Sequence, residues 1–172
     1  MLRPMAGYLE QRIDLPELRP VLRPPGARPE SEFLDRCYRC GNCADVCPVS
    51  AIRLHPSDDE SLGGTPFIDA SAVACVVCSD IACTHACPSG ALEPLTNPAH
   101  IRMGLAIVDQ AACVRSEGED CRECIDKCPI GEGAIRLDRK GRVEVLSDGC
   151  VGCGVCQLYC PTKPEAIVVD PD

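Results

Sequence analysis

The sequence predicts an α+β fold in which short strands and short helical turns are wound around four groups of cysteines. Sixteen of the 172 residues are Cys, about 9%, which is near the range that marks Cys-stabilised chains. Short apolar or alternating runs separate the Cys groups and are typical of short strands. Phe, Trp and Tyr make up only 3% of the chain. Aromatic side chains therefore cannot supply an ordinary core, and something else must organise the interior.

The cysteines share one spacing pattern, repeated four times. The first and fourth groups read C-x2-C-x2-C-x3-C, the second has two extra residues before its third Cys, and the third has seven residues in its first gap. A proline follows the last Cys of every group, and no Cys is left over. The groups are Cys37, Cys40, Cys43 and Cys47; Cys75, Cys78, Cys83 and Cys87; Cys113, Cys121, Cys124 and Cys128; and Cys150, Cys153, Cys156 and Cys160.

This spacing is the pattern with which bacterial chains hold cubane iron–sulfur clusters, the fourth Cys of a run ligating the other cluster in two-cluster proteins. Gly41, Gly152 and Gly154 lie inside the loops and permit tight wrapping. Structural zinc sites generally use two separated Cys pairs or Cys with His. Disulfide frameworks belong mainly to secreted chains, and the N-terminal residues show no signal peptide. We therefore expect four [4Fe–4S] clusters with all sixteen cysteines as metal ligands; a zinc-stabilised protein-interaction module is the alternative.

Strands are predicted after and before the Cys groups. The runs that follow a group are Ile52–Leu54, Ile135–Leu137 and Ile167–Val169, and those that precede one are Phe67–Ile68, Leu105–Val108 and Val143–Val145. Asp138–Gly141 has the composition of a hairpin turn. The expected order is Cys loops alternating with hairpins, a final strand at the end, and short helical turns after the Cys-Pro pairs.

Residues 1–34 are expected to form a separate extended arm, and residues 35–172 the cluster-binding domain. The arm holds six prolines, which fix φ and remove hydrogen-bond donors. Its two interpretations are a disordered tail and a segment that packs on the body or on a partner subunit.

The remaining residues point to electron conduction without substrate chemistry. Six apolar residues between ligands are expected to pack against the clusters and keep water away: Val76, Val77, Ile81, Ile125, Val151 and Val155. His85 is interpreted as a surface residue, and residues 114–120 as a solvent loop. No nucleotide-binding, haem or catalytic motif is present, so we expect no enzyme activity. The net charge of −9 argues against nucleic acid, and no apolar run approaches the ~20 residues of a membrane span.

Four segments of the chain resemble the NapG/MauM ferredoxin-type family: RCYRCGNCADVCPVSAI, ACVVCSDIACTHACPSGAL, MGLAIVDQAACVRSEGEDCRECIDKCP and DGCVGCGVCQLYCP. The arm segment LRPPGARPESEFLDRC is similar too. The resemblance implies an electron-transfer protein with two ferredoxin-like halves in a pseudo-twofold arrangement. It further implies that the first group exchanges its fourth Cys with the last group and that the two middle groups exchange with each other. Sequential exchange is the alternative.

The resemblance also implies redox partners: a membrane-bound quinol dehydrogenase subunit and an acceptor reductase or cytochrome. Family members are usually periplasmic and exported through the twin-arginine route. The sequence has no adjacent Arg pair, so the expected locations are the periplasm, by resemblance, and otherwise the cytoplasm, in both cases peripheral to a membrane complex.

Overall fold

The computed structural model describes residues 21–56, 58 and 61–171, so that the first twenty residues of the expected arm lie outside it. All helices and strands in the described part are short. The α-helices are α1 (Glu30–Arg36), α2 (Asn42–Asp45), α3 (Ala82–His85), α4 (Glu123–Asp126) and α5 (Val155–Leu158). The strands are β1 (Ile52–Leu54), β2 (Pro66–Ile68), β3 (Gly104–Val108), β4 (Ile135–Leu137), β5 (Val143–Val145) and β6 (Ile167–Pro171). Three 3₁₀ turns cover Pro98–His100, Val114–Glu117 and Gly131–Gly133.

Helix α1 begins inside the stretch that was expected to be an extended arm and continues two residues beyond it. Glu30 and Glu32 in its first turn and Arg36 in its last turn complement the helix dipole. Glu32 also pairs with Arg36 one turn later, at 2.9 Å. Phe33 is completely buried. The expected boundary after residue 34 therefore falls within a helix that packs on the body.

Two of the three expected hairpins form. Strands β1 and β2 pair antiparallel with Ile52 opposite Ile68, and β4 and β5 pair with Ile135 opposite Val145. The expected middle hairpin is wrong, because β3 pairs with the final strand β6 along five residues.

The segment after the second Cys group pairs with the arm. Leu92 forms an antiparallel bridge with Ala27. Glu93 N–H donates to the Gly26 carbonyl at 2.7 Å, and Arg28 N–H donates to the Ala91 carbonyl at 3.1 Å. Each half of the molecule thus has the same order: an opening segment, a Cys group, a hairpin, a second Cys group and a closing segment paired with the opening one.

The four short helices α2 to α5 lie before the Cys-Pro pairs, each around the third Cys of its group. Short helical turns were expected after these pairs; in the described residues the 3₁₀ turn Gly131–Gly133 after Pro129 meets this expectation, and it is wrong for the other three groups. Proline disfavours helical backbone at the preceding residue, which ends each helix at the Cys-Pro pair. The short helices therefore present the ligand loops, and the prolines turn the chain away.

Buried apolar side chains form two clusters, one in each half, and the first one extends into the second half. Buried members from the first half include Leu22, Phe33, Ile52, Ile68, Ile81 and Leu92. Val151, Cys153 and Val155 of the second half pack into the same cluster. The second cluster includes Ala106, Ile125, Ile135, Val143 and Ile167. The loop of the fourth Cys group is thereby packed against the first half. No helix in the described part is long and apolar enough to cross a bilayer.

Candidate metal centres

All sixteen cysteines lie in the described part of the chain, and all are free thiols. They gather into four sets, each made of three cysteines from one group and the fourth cysteine of a neighbouring group. We call these sets site I (Cys37, Cys40, Cys43 and Cys87), site II (Cys75, Cys78, Cys83 and Cys47), site III (Cys113, Cys121, Cys124 and Cys160) and site IV (Cys150, Cys153, Cys156 and Cys128).

Sites II, III and IV each surround a cavity. All four cysteines of each set line the wall of the cavity. The rest of each wall is mostly apolar, and Thr162 is the polar side chain in that of site III. In site II it includes Val49, Val77 and Ile81. These cavities are similar in size and chemistry, which indicates that the same local structure forms each four-thiol cavity.

Site I is identified by the electrostatic effect that its sulfurs have on one another's pKa values. Burial raises the pKa of the Cys43 thiol to about 11, and the neighbouring Cys37, Cys87 and Cys40 add to the rise. Cys40 is exposed, and Tyr38 beside it is 72% exposed. Site I is therefore close to the protein surface.

The pKa values of the buried thiols indicate what kind of group these sites can bind. Burial, with help from neighbouring sulfurs, raises the pKa of Cys153 and Cys83 to about 12 and that of Cys75 and Cys124 to about 11. At pH 7 such thiols keep their protons unless a cation compensates for the thiolate charge. The iron of an iron–sulfur core is one such cation, so the four-thiol donor set fits a metal centre of this kind.

The ligand loops adopt left-handed backbone at corresponding positions. Arg39, Val77 and Gly152, each just before the second Cys of its group, have φ of 55°, 54° and 70°. Gly41 and Gly154, each just after that Cys, have φ of 80° and 81°. A β-branched residue such as Val77 adopts this conformation only under strain. The predicted role of the glycines is confirmed, and the loops wind tightly enough to strain a valine.

Two stretches of the chain, residues 36–91 and 102–163, match the family model of the 4Fe-4S dicluster domain. The chain is 42% identical over 160 residues to the methylamine utilization ferredoxin-type protein MauM of Methylorubrum extorquens, covering 88% of this chain and 73% of that protein. It is 39% identical over 162 residues to the ferredoxin-type protein NapG of Escherichia coli, covering 87% of this chain and 70% of that one. The chain belongs to the NapG/MauM ferredoxin-type family.

The family match confirms the cofactor prediction and the α+β, ferredoxin-like fold type. Two dicluster domains give four [4Fe–4S] clusters in total, and sixteen cysteines are the number that four clusters need. Each matched stretch encloses two consecutive Cys groups. This NapG/MauM-type chain is an iron–sulfur protein of the electron-transfer type.

The exchange of fourth cysteines differs from the one that the resemblance implied. Cys47 lies with the second group and Cys87 with the first, and Cys128 lies with the fourth group and Cys160 with the third. The reason is the closure of each half by its own first and last segments, which encloses two consecutive groups. The structure therefore places together the cysteines of consecutive groups, as in the sequential alternative, and not those of the first and last groups.

Sites II and IV meet where the two halves join. Cys75 N–H donates a 3.0 Å hydrogen bond to the Cys153 carbonyl. A Cβ at Gly154 would lie only 2.4 Å from the Cβ of Ala70, and one at Gly152 only 2.5 Å from the Gly104 backbone. The two glycines allow the fourth ligand loop to lie directly on its neighbours.

Hydrogen bonds reach the sulfurs of several fourth cysteines. Burial by itself would raise the pKa of Cys87, but the Ser89 hydroxyl and backbone N–H groups such as that of Leu92 outweigh it and lower the pKa. For Cys160, the Thr162 hydroxyl and backbone groups outweigh burial in the same way. Both sulfurs are therefore stabilised as thiolates.

The other residues singled out in the sequence have clear places. Val76, Val77 and Ile81 line site II, and Val151 lines site IV. Ile125 and Val155 are buried in the apolar clusters, whereas Val76 is also 45% exposed. The His85 ring hydrogen-bonds the Leu95 carbonyl at 2.9 Å and belongs to no thiol set.

Arg23 and Arg115 are important residues that sequence reasoning missed. The buried Arg23 pairs with Glu30 and lies over the Phe33 ring, at 4.6 Å from its centroid. Arg115, in the stretched gap of the third group, donates to the Gly141 carbonyl at 2.7 Å and to the Cys121 carbonyl at 2.8 Å. The residues 114–120 are therefore an anchored turn against a hairpin, not merely a solvent loop.

Proposed function

We propose that this chain relays electrons through four [4Fe–4S] clusters, passing them from a membrane-bound quinol-oxidising subunit to a terminal reductase or cytochrome. Membership of an iron–sulfur family supports an electron-transfer role. The observation that carries the proposal is the continuous run of thiol sets through both halves, joined by the Cys75–Cys153 hydrogen bond.

The proposed ligands are all sixteen cysteines in the sets of sites I to IV. The mostly apolar walls keep water from the sulfurs, and each short helix carries the third cysteine of its group. The ligands lie between residues 35 and 172, which we propose as the cluster-binding unit, with its two halves in a pseudo-twofold arrangement. Each cluster, when bound, takes up and releases one electron.

The proposed order along the relay is I, II, IV, III. Sites I and II share the first half and exchange Cys47 and Cys87. Sites III and IV share the second half and exchange Cys128 and Cys160. The direct contact between halves is at Cys75 of site II and the carbonyl of Cys153 in site IV. Sites I and III are therefore the two ends, where electrons enter and leave.

The surroundings of the two ends differ and suit different partners. Site I has the exposed Cys40 and the neighbouring Tyr38. Site III is covered by residues 114–120, whose Asp120 is exposed and paired with Arg115 at 2.9 Å. An exposed aromatic beside a thiol favours a close apolar contact, whereas the charged turn favours a polar one. We propose that separate redox proteins dock at the two ends and that the chain itself converts no substrate.

Analysis of iron and acid-labile sulfide in anaerobically prepared protein tests the proposal. Four cubanes require about sixteen iron atoms and about sixteen sulfides per chain. A Cys47→Ser variant should disturb the cluster of site II, and a Cys87→Ser variant that of site I. Zinc in place of iron, or far less than sixteen iron in the unaltered protein, would refute it.

A further inference from the structure

The residue two places after the last cysteine of each group differs between the groups. In the second and fourth groups it carries a hydroxyl. Ser89 Oγ lies 3.5 Å from Cys87 Sγ, and Thr162 Oγ1 lies 3.1 Å from Cys160 Sγ. Both distances are within hydrogen-bond range for sulfur. Cys87 and Cys160 are the exchanged members of sites I and III, the two ends of the relay.

In the first and third groups the corresponding residue is aliphatic. Val49, two residues after Cys47, lines the cavity of site II. Ile130, two residues after Cys128, lines the cavity of site IV. The two inner sites therefore receive their exchanged cysteine beside an apolar side chain that has no proton to donate.

The partners of the hydroxyls decide which atom donates. Ala91 N–H donates to Ser89 Oγ at 3.3 Å, and Ala166 N–H donates to Thr162 Oγ1 at 2.8 Å. Each oxygen therefore already accepts a hydrogen bond and still has its own proton to give. A metal-bound cysteine is a thiolate and carries no proton. In the loaded protein the hydroxyl is the donor and the sulfur the acceptor.

Backbone hydrogen bonds to sulfur are present in both sites of the first half. Ala51 N–H donates to Cys47 Sγ at 3.3 Å, and Leu92 N–H donates to Cys87 Sγ at 3.4 Å. Backbone groups of Ser89 and Ala91 also act on Cys87. The Ser89 hydroxyl is a side-chain donor to Cys87, and the valine at the corresponding position after Cys47 has no equivalent.

We propose that Ser89 and Thr162 raise the reduction potentials of the clusters at sites I and III, the two ends of the relay. A reduced cluster carries one more negative charge than an oxidised one, so a hydrogen bond donated to its sulfur stabilises the reduced form more. The electron comes from an external donor that is oxidised by one electron, and no bond forms or breaks. The inference rests on the proposed ligand sets. The hydroxyls make an added electron more stable on the clusters at the two ends, sites I and III, than on the clusters of the two inner sites.

Redox titration of the full chain with its clusters, followed by EPR, tests this inference. Ser89→Val and Thr162→Val remove the donors, and each is expected to shift the midpoint of one cluster to lower potential while iron content stays unchanged. Ser89→Thr and Thr162→Ser keep the hydroxyl and are expected to keep the midpoint. Val49→Thr supplies a hydroxyl at the corresponding position of site II and is expected to raise the midpoint of a different cluster.

The controls separate the hydroxyl effect from structural damage. Ser89 and Thr162 also accept from Ala91 N–H and Ala166 N–H, so the loss of either hydroxyl could loosen its turn. The Val49→Thr variant removes no such bond and separates the two effects. Unchanged midpoints in both Ser89→Val and Val49→Thr, at full iron content, would overturn the role of the hydroxyls and leave the relay proposal standing. Low iron content in the unaltered protein would instead overturn the ligand sets.

Discussion

Gly154 and Gly41 offer a matched test of the junction between the two halves. Each follows the second Cys of a C-x2-C-G-x-C loop, and their φ values are 81° and 80°. A Cβ at Gly154 would lie 2.4 Å from the Cβ of Ala70, whereas one at Gly41 would meet only Leu54 Cδ1, at 3.6 Å. Alanine therefore meets the same backbone strain at both positions but a steric clash only at Gly154.

The expected cost follows from these two contributions. Left-handed backbone costs alanine roughly 1–2 kcal/mol at either position. The clash with Ala70 adds about 1–3 kcal/mol at Gly154 alone, the usual cost of overpacking. If the junction opens before the clusters are lost, this difference corresponds to cluster loss that is roughly 5- to 150-fold faster in Gly154→Ala than in Gly41→Ala.

The assay is the anaerobic bleaching rate of the clusters in guanidinium, followed by visible absorbance. Gly154→Ala is expected to bleach faster than Gly41→Ala. Adding Ala70→Gly to Gly154→Ala removes the clashing methyl group and should slow the bleaching again, whereas adding it to Gly41→Ala should not. Equal rates for the two glycine variants, together with no rescue by Ala70→Gly, would refute the direct contact between the halves.

Three further predictions concern the residues that anchor the arm and the third ligand loop. Phe33→Ala should destabilise the protein by about 3–5 kcal/mol, as for a fully buried aromatic side chain, and should lower the melting temperature. Arg23→Lys should also lower it, because lysine cannot form the two-point pair with Glu30, whereas Arg53→Lys on the exposed surface should have little effect. Arg115→Gln should lower the free energy of unfolding by about 1.5–3 kcal/mol for each hydrogen bond lost to a backbone carbonyl. We also expect the variant to lose one cluster faster in air. A cluster lifetime equal to that of the unaltered protein would contradict an anchoring role.

Much of the metal chemistry could be read from the sequence because cluster ligation depends on local spacing. Four cysteines within a short loop, followed by proline, determine the ligand type without knowledge of distant contacts. Short strands such as Ile52–Leu54 and Val143–Val145 were placed correctly for the same local reason, and the turn at Asp138–Gly141 joins two strands that are neighbours in the chain.

Long-range pairing could not be read in this way. The strand at Leu105–Val108 has two possible partners of similar composition, and only the packed structure selects the final strand. The bridge between Ala27 and Leu92 joins a proline-rich segment to a two-residue run, neither of which has a strand pattern. These two pairings close the halves and so determine which Cys groups exchange ligands.

The functional residues that were missed gave weaker signals. Glu30 and Arg36 mark the ends of helix α1, but the surrounding prolines favoured an extended chain. Ser89 and Thr162 stand at equivalent positions after Cys-Pro pairs, where a hydroxyl is common at turns and by itself indicates no role. Only their contacts with Cys87 and Cys160 in the structure distinguish them.

The most direct test is X-ray diffraction from anaerobically grown crystals, with anomalous data collected at the iron edge. We expect four iron-containing centres in the spatial order I, II, IV, III, with Cys47 bound to the same centre as Cys75 and Cys128 to the same centre as Cys150. Centres that lack iron, or a Cys47 bound together with the fourth Cys group, would contradict the account.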